Sequence, residues 1–290
     1  MKNRRDFLKT SALLAAGSML APQLLSSCTA QAKNIGLQLY SLRDMVGKEG
    51  IQAVLELVAG IGYKNLETAG YNNGLIYGMD PKEFTRMVGD LGMKFTSAHV
   101  GQGYSPDRDA EVMSWWDQAI AAHKEAGALY LVQPWVPLNE NSSLDDLKIQ
   151  MDYFNRVGEK AKAAGMLFGF HNHTVEFKKI GEEVIYDLML AHTDPALVMF
   201  QLDVYWCQVG GSSPVEYLKN HPNRIKLTHI KDEKEIGASG TMDFEPIFRQ
   251  MQANGINDWY VEVERYTNDD PKESVRESYR YLAEAKYLKK

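Results

Sequence analysis

Cysteine is almost missing from this chain. Its 290 residues hold two, Cys28 and Cys207, too few for a disulfide framework, and Cys207 reads as a small buried apolar side chain. Basic charge is also short. Four of the 32 Lys and Arg and one of the 38 Asp and Glu lie in residues 1–27, which leaves 28 against 37 beyond them, a formal −9. Nucleic-acid binding needs a basic footprint, and this balance argues against one. The apolar run near the N-terminus is too short for a membrane span. No Gly-x-Gly-x-x-Gly turn follows the first strand candidate, which weakens a dinucleotide-binding reading. Neither a linker, a low-complexity run nor a second-domain break interrupts the chain.

What is present begins with "MKNRRDFLKTSALLAAGSMLAPQLLSSC". A basic start, an apolar run and small residues form the pattern of an export signal. Arg4-Arg5 followed by Phe7-Leu8-Lys9 matches a twin-arginine address. Leu25-Ser26-Ser27-Cys28 resembles the lipoprotein cleavage box, in which the cysteine becomes the lipidated first residue. The expectation is a cleaved signal over 1–27, a short tether over 28–33 anchored through Cys28, and a protein of the periplasm or cell envelope. That lipid would be its one contact with a membrane.

Beyond Ala32, short apolar or alternating runs precede longer amphipathic ones. Strands are expected at 35–41, 63–69, 94–100, 129–135, 167–173, 198–206, 225–232 and 259–265. Helix patterns with capping residues and closing glycines lie between them. Alternating strands and helices imply parallel pairing. Eight such units in about 260 residues predict one α/β domain over 34–290, a single (β/α)8 TIM barrel.

Alternate residues of a strand share a face. In "FGFHNHTVEF" (168–177), Phe168 and Phe170 suit the helix layer, so His171 and His173 point into the barrel. By the same test Gln201, Asp203 and Tyr205 face in, as do Glu262 and Glu264. His229 and Lys231 share a face, Leu66 opposes Glu67, and His99 lies beside Ser97. Gln38 and Gln133 add neutral polar groups. All fall late in their strands, at the end where barrel active sites form. Any one has a bland reading as a hydrogen-bonded core group. Together they are costly to bury unless paired or holding a cation. Carboxylates with an imidazole suit one divalent ion, Mn²⁺, Mg²⁺, Co²⁺ or Zn²⁺.

"HNHTVEF" (171–177), "QLDVYW" (201–206), "THIKD" (228–232) and "YVEVE" (260–264) together resemble the xylose-isomerase-like barrel superfamily, in its sugar phosphate isomerase/epimerase branch. The resemblance covers nearly all of 34–288. It implies a metal held by Glu176, Asp203, His229 and Glu262, with His171 the alternative to Glu176 and Glu264 the alternative to Glu262. Glu176 and Glu262 would also handle protons, with His173 and Lys231 beside them. Glu67, His99, Gln133, Trp135, His171 and Glu264 would contact substrate.

The implied activity is metal-dependent isomerisation or epimerisation of a carbohydrate or related hydroxy-ketone, by proton abstraction through a metal-stabilised enediolate. A lyase or hydratase acting on a keto sugar or 3-keto-glycoside is the alternative, since elimination uses the same intermediate. A non-catalytic sugar-binding lipoprotein is the third reading. The superfamily's DNA-repair endonucleases fit neither the charge nor the export signal. The partner is a small carbohydrate, and an oligomer is allowed. The loop "IGASGTMDF" (236–244) lies where barrels often bind phosphate, but reads as a mobile rim loop.

Overall fold

The computed structural model describes residues 33–288. The expected signal over 1–27, Cys28 and most of the expected tether lie outside them. Eight parallel strands close into a barrel: β1 (Gly36–Gln38), β2 (Asn65–Thr68), β3 (Lys94–His99), β4 (Tyr130–Gln133), β5 (Leu167–His171), β6 (Val198–Asp203), β7 (Ile225–Lys231) and β8 (Trp259–Glu262), with β8 pairing to β1. Each strand falls within an expected span and stops short of its C-terminal end. The residue types that extend the alternating pattern belong to loops at the mouth. At Asp203 the cause is visible. Its Oδ1 accepts from Trp206 N at 2.8 Å, so "VYW" begins a short helix instead of continuing the strand.

The main outer helices are α1 (Ile51–Ile61), α2 (Pro81–Asp90), α3 (Asp109–Glu125), α4 (Leu144–Ala163), α5 (Ile185–His192), α6 (Pro214–Asn220), α7 (Phe244–Ala253) and α8 (Pro271–Glu284). Helix α4 shows how sequence sets one of them. Ser143 and Asp146 form a reciprocal capping box at its start. Its buried face brings Phe154 to Phe168 and Phe170 of β5, at ring separations of 5.5 and 5.6 Å. Phe168 and Phe170 therefore lie in the helix layer as expected, and His171 turns inward. Among the described residues no helix is long and apolar enough to cross a membrane.

Inside the barrel, Val132, Met199, Leu227 and Tyr260 form a buried hydrophobic plug. The register then raises a polar layer above it. Gln38 pairs with Glu67, Gln201 with His171, Asp203 with His229, and Lys231 with Glu262. These residues lie at, or within two residues of, the C-terminal ends of their strands, at one mouth.

Candidate metal centre

His171, Asp203, His229 and Glu262 offer ligand atoms that all lie within 4.8 Å of one another, and all four residues are buried. They come from β5, β6, β7 and β8. Two of their atoms are unsatisfied: His171 Nδ1 and Asp203 Oδ2 are buried with no hydrogen-bond partner. Such atoms are costly in a protein interior. His229 Nδ1 stands 3.3 Å from Glu262 Oε2.

The backbone under this group is held stiffly. Asn172 is fully buried, and its side chain clamps the main chain of Asp203: Asp203 N donates to Asn172 Oδ1 at 3.0 Å, and Asn172 Nδ2 donates to Asp203 O at 3.3 Å. Beneath lies Glu67, 0% exposed. Its carboxylate accepts from Gln38 Nε2 at 2.8 Å, Ser97 Oγ at 2.6 Å, Gln201 Nε2 at 2.8 Å and His229 Nε2. His99 Nε2 is 3.2 Å from Glu67 and donates to Gln201 Oε1 at 2.7 Å. His99 and His229 stack, with ring centroids 4.9 Å apart.

Charge is partitioned sharply. Burial alone would raise the Glu67 carboxyl, but His99 and His229 hold it at about 2. Glu262 is likewise kept well below the usual range by His229 and Lys231 despite its burial. Burial works against a charged His229, yet Glu67 and Glu262 raise it to about 10. Burial pushes Asp203 up to about 7 and pulls His171 well down, with His229 and His99 adding to it. Without a further positive charge the site carries one carboxylate that burial drives toward its neutral form.

The positions of the other sequence-derived residues are mixed. Lys231 sits 1% exposed, 2.8 Å from Glu264 and over the faces of Trp206 and Tyr205 at 5.4 and 5.8 Å. Glu264 is thus a salt-bridge partner above the ligand cluster. His173 packs edge-on to His171 at 4.9 Å. Trp135 is 45% exposed at the rim.

Two expected site residues lie elsewhere in the structure. Glu176 is not among the clustered ligands. The chain turns into a short 3-10 helix after the strand, and its carboxylate folds back to accept from His173 N at 2.7 Å. His171, within the strand, takes the fourth place. Gln133 does not face the barrel interior. It pairs in register with Phe170 and points outward with it. It accepts from Tyr153 Oη at 3.0 Å and donates to Trp135 O at 2.9 Å. The interior residue of β4 is Val132. Neither Ser97 nor Asn172 is assigned a role by the sequence pattern. Asn172, between two histidines at a strand end, was the legible signal.

The loop after β7 is pinned rather than mobile. Asp232, fully buried, accepts from Gly237 N at 3.0 Å and from the Ser239 hydroxyl. Ala238 N donates to Glu235 O at 3.0 Å and Thr241 N to Ser239 Oγ at 3.0 Å. The N–H groups of Gly237, Ala238 and Thr241 are thereby occupied, and a carboxylate fills the centre of the loop.

The family profile described as Xylose isomerase-like TIM barrel matches residues 55–285. A crystal structure of a sugar phosphate isomerase/epimerase from Parabacteroides distasonis ATCC 8503 is 38% identical. The match covers 89% of this chain and all of that one, with a TM-score of 0.84. An E. coli 3-keto-D-glucoside 4-epimerase shares the fold at 19% identity and a TM-score of 0.65, covering 87% of this chain and all of that one. An inosose dehydratase of Clostridium beijerinckii is 28% identical over 170 residues, half of this chain and 54% of the relative. The chain spans about half the length of the curated relatives it matches.

Proposed function

Because the chain belongs to the xylose isomerase-like TIM barrel family, we propose that it is a divalent-metal-dependent isomerase or epimerase of a carbohydrate or related hydroxy-ketone. The observation that carries this reading is the buried group of His171, Asp203, His229 and Glu262, with two unsatisfied ligand atoms. A cation fits them. It would neutralise the two carboxylates and satisfy both orphaned atoms. Two imidazoles with two carboxylates favour Mn²⁺, Co²⁺ or Zn²⁺ over Mg²⁺, which prefers oxygen.

The bound ion would supply Lewis-acid polarisation of the substrate's carbonyl and hydroxyl oxygens, which acidifies the adjacent C–H. The chain's own residues do the rest. Glu262 is kept ionised by His229 and Lys231, the state a proton acceptor requires. Lys231, braced by Glu264 and two aromatic faces, is a fixed donor at the mouth. Burial keeps His173 neutral, so it can accept a proton or a hydroxyl hydrogen bond. The occupied N–H groups around Asp232 support an unphosphorylated substrate. Exposed Trp135 and Tyr40 suit the C–H faces of a sugar.

A dehydratase or lyase acting on a keto sugar or 3-keto-glycoside is the second reading. The inosose dehydratases among its relatives favour it. Incubation of metal-loaded protein with keto sugars in deuterated water separates the readings. Deuterium gained at carbon without change of formula supports isomerisation or epimerisation. Loss of water or aglycone supports the lyase. Neither reaction with any divalent metal leaves the sugar-binding lipoprotein. Export and lipidation at Cys28 belong to the same proposal. They are tested by lipid labelling of the wild type and Cys28→Ala.

A further inference from the structure

Glu67 lies outside the ligand group, yet it has more polar partners than any ligand. Its carboxylate accepts from Gln38, Ser97 and Gln201 and meets two imidazoles. A fully buried carboxyl group that already receives Gln38 Nε2, Ser97 Oγ and Gln201 Nε2 is the acceptor of this cluster. Whatever touches it must bring the hydrogen. His229 meets it through Nε2, so Nε2 carries a proton and Nδ1 is the nitrogen left for a cation. That nitrogen is the one directed at Glu262, 3.3 Å away.

The same logic passes through Gln201. Glu67 accepts from Gln201 Nε2, which fixes the amide orientation and leaves Gln201 Oε1 facing His99 Nε2 at 2.7 Å. An amide oxygen accepts, so His99 is also protonated at Nε2, and its Nδ1 is a bare acceptor. Ser97 and Gln38 hold the carboxylate from two further strands. Gln38 Oε1 in turn accepts from Tyr40 N at 2.9 Å, tying the floor to the rim.

We infer that Glu67 is the positioning residue of this centre, setting the tautomer of His229 directly and that of His99 through Gln201. His229 thereby presents Nδ1 to the divalent ion, and His99 presents an unprotonated Nδ1 to whatever enters the mouth. This rests on the metal-site reading above but is separable from it. A carboxylate behind a ligating imidazole orients the ring and raises its basicity, and its loss typically weakens metal binding about 10- to 100-fold.

The test uses the ¹⁵N-labelled protein with Zn²⁺ as the probe. Two-bond ¹H–¹⁵N spectra identify the protonated nitrogen of each histidine. The wild type should show Nε2–H at His229 when zinc is bound, and Nε2–H at His99 with or without zinc. Zinc titration of Glu67→Gln should show a 10- to 100-fold loss of affinity, because an amide turned toward Nε2 moves the proton to Nδ1. The wild-type spectra need no variant, so they decide the matter even if Glu67→Gln fails to fold. Zinc held through His229 Nε2, His99 protonated at Nδ1, or a folded Glu67→Gln that binds zinc within about threefold of wild type overturns the inference. Failure of the wild type to bind any divalent ion overturns the metal-site reading itself.

Discussion

His171 and Glu176 are five residues apart, and their environments separate their roles. His171 ends a strand and faces three other ligands. Glu176 lies in a turn, 2% exposed, with its carboxylate spent on a backbone N–H. Alternation along the strand put both histidines inward, and that held for His171. Which residue beyond the strand would return to the mouth was not legible, because alternation ends where the strand ends. Gln133 departs from the expected direction for a related reason. Its polarity suits an inward position, while the strand's phase, set by Val132 inside and Phe170 alongside, turns it outward.

Glu176→Gln should bind the metal as the wild type does, whereas His171→Ala should lose ~100-fold or more, by calorimetric titration. Glu176 also carries a pH signature. Burial raises its carboxyl from 4.5 to about 7. The folded state thus favours the neutral acid, and this contribution is fully present below about pH 4.5 and lost as pH rises through 7. The wild type should lose up to ~3 kcal/mol relative to Glu176→Gln between pH 4.5 and pH 8, read from urea unfolding. A constant difference between the two proteins would count against it. Asp203→Asn should bind metal ~100-fold or more weakly. Its metal-free Tm should equal or exceed that of the wild type, since an unpaired buried carboxylate is removed and an amide can still cap the following helix.

At the scale of elements, capping and amphipathic spacing explain why the units were recognisable. Ser143 and Asp146 mark the start of α4, Asp80 caps α2 and Asp270 caps α8. Glycine inside α4 looks like a local fault, but tertiary contact explains it. A Cβ on Gly158 would lie 2.5 Å from Leu197 O, where the helix meets the approach to β6. Alanine is the better helix former by about 1 kcal/mol. Gly158→Ala should nonetheless destabilise by ~1–3 kcal/mol, because the obstacle is backbone. Unchanged or higher denaturant midpoints would refute that packing argument.

For the whole molecule, barrel closure is what turns a scattered set of polar residues into a site. The eight alternating units predicted it, but the vertical register did not appear in the sequence. Pairing of Asp203 with His229 and of Lys231 with Glu262 brings residues from distant segments to common levels. Bulges at Leu66/Glu67 and Phe200/Gln201 shift that register, and no local pattern announces them. The buried ligand group also links metal to stability. Saturation at about 100 times Kd should add ~2.7 kcal/mol, raising Tm by roughly 5–10 °C, and a chelator should reverse it.

The central claim is that His171, Asp203, His229 and Glu262 hold one divalent cation. It is tested most directly by anomalous diffraction from crystals grown with Mn²⁺, recorded above and below the manganese absorption edge. The account predicts a single strong edge-dependent peak bounded by those four side chains, with His229 joined through Nδ1. A peak against Glu176 instead, or none within the barrel mouth, would contradict it.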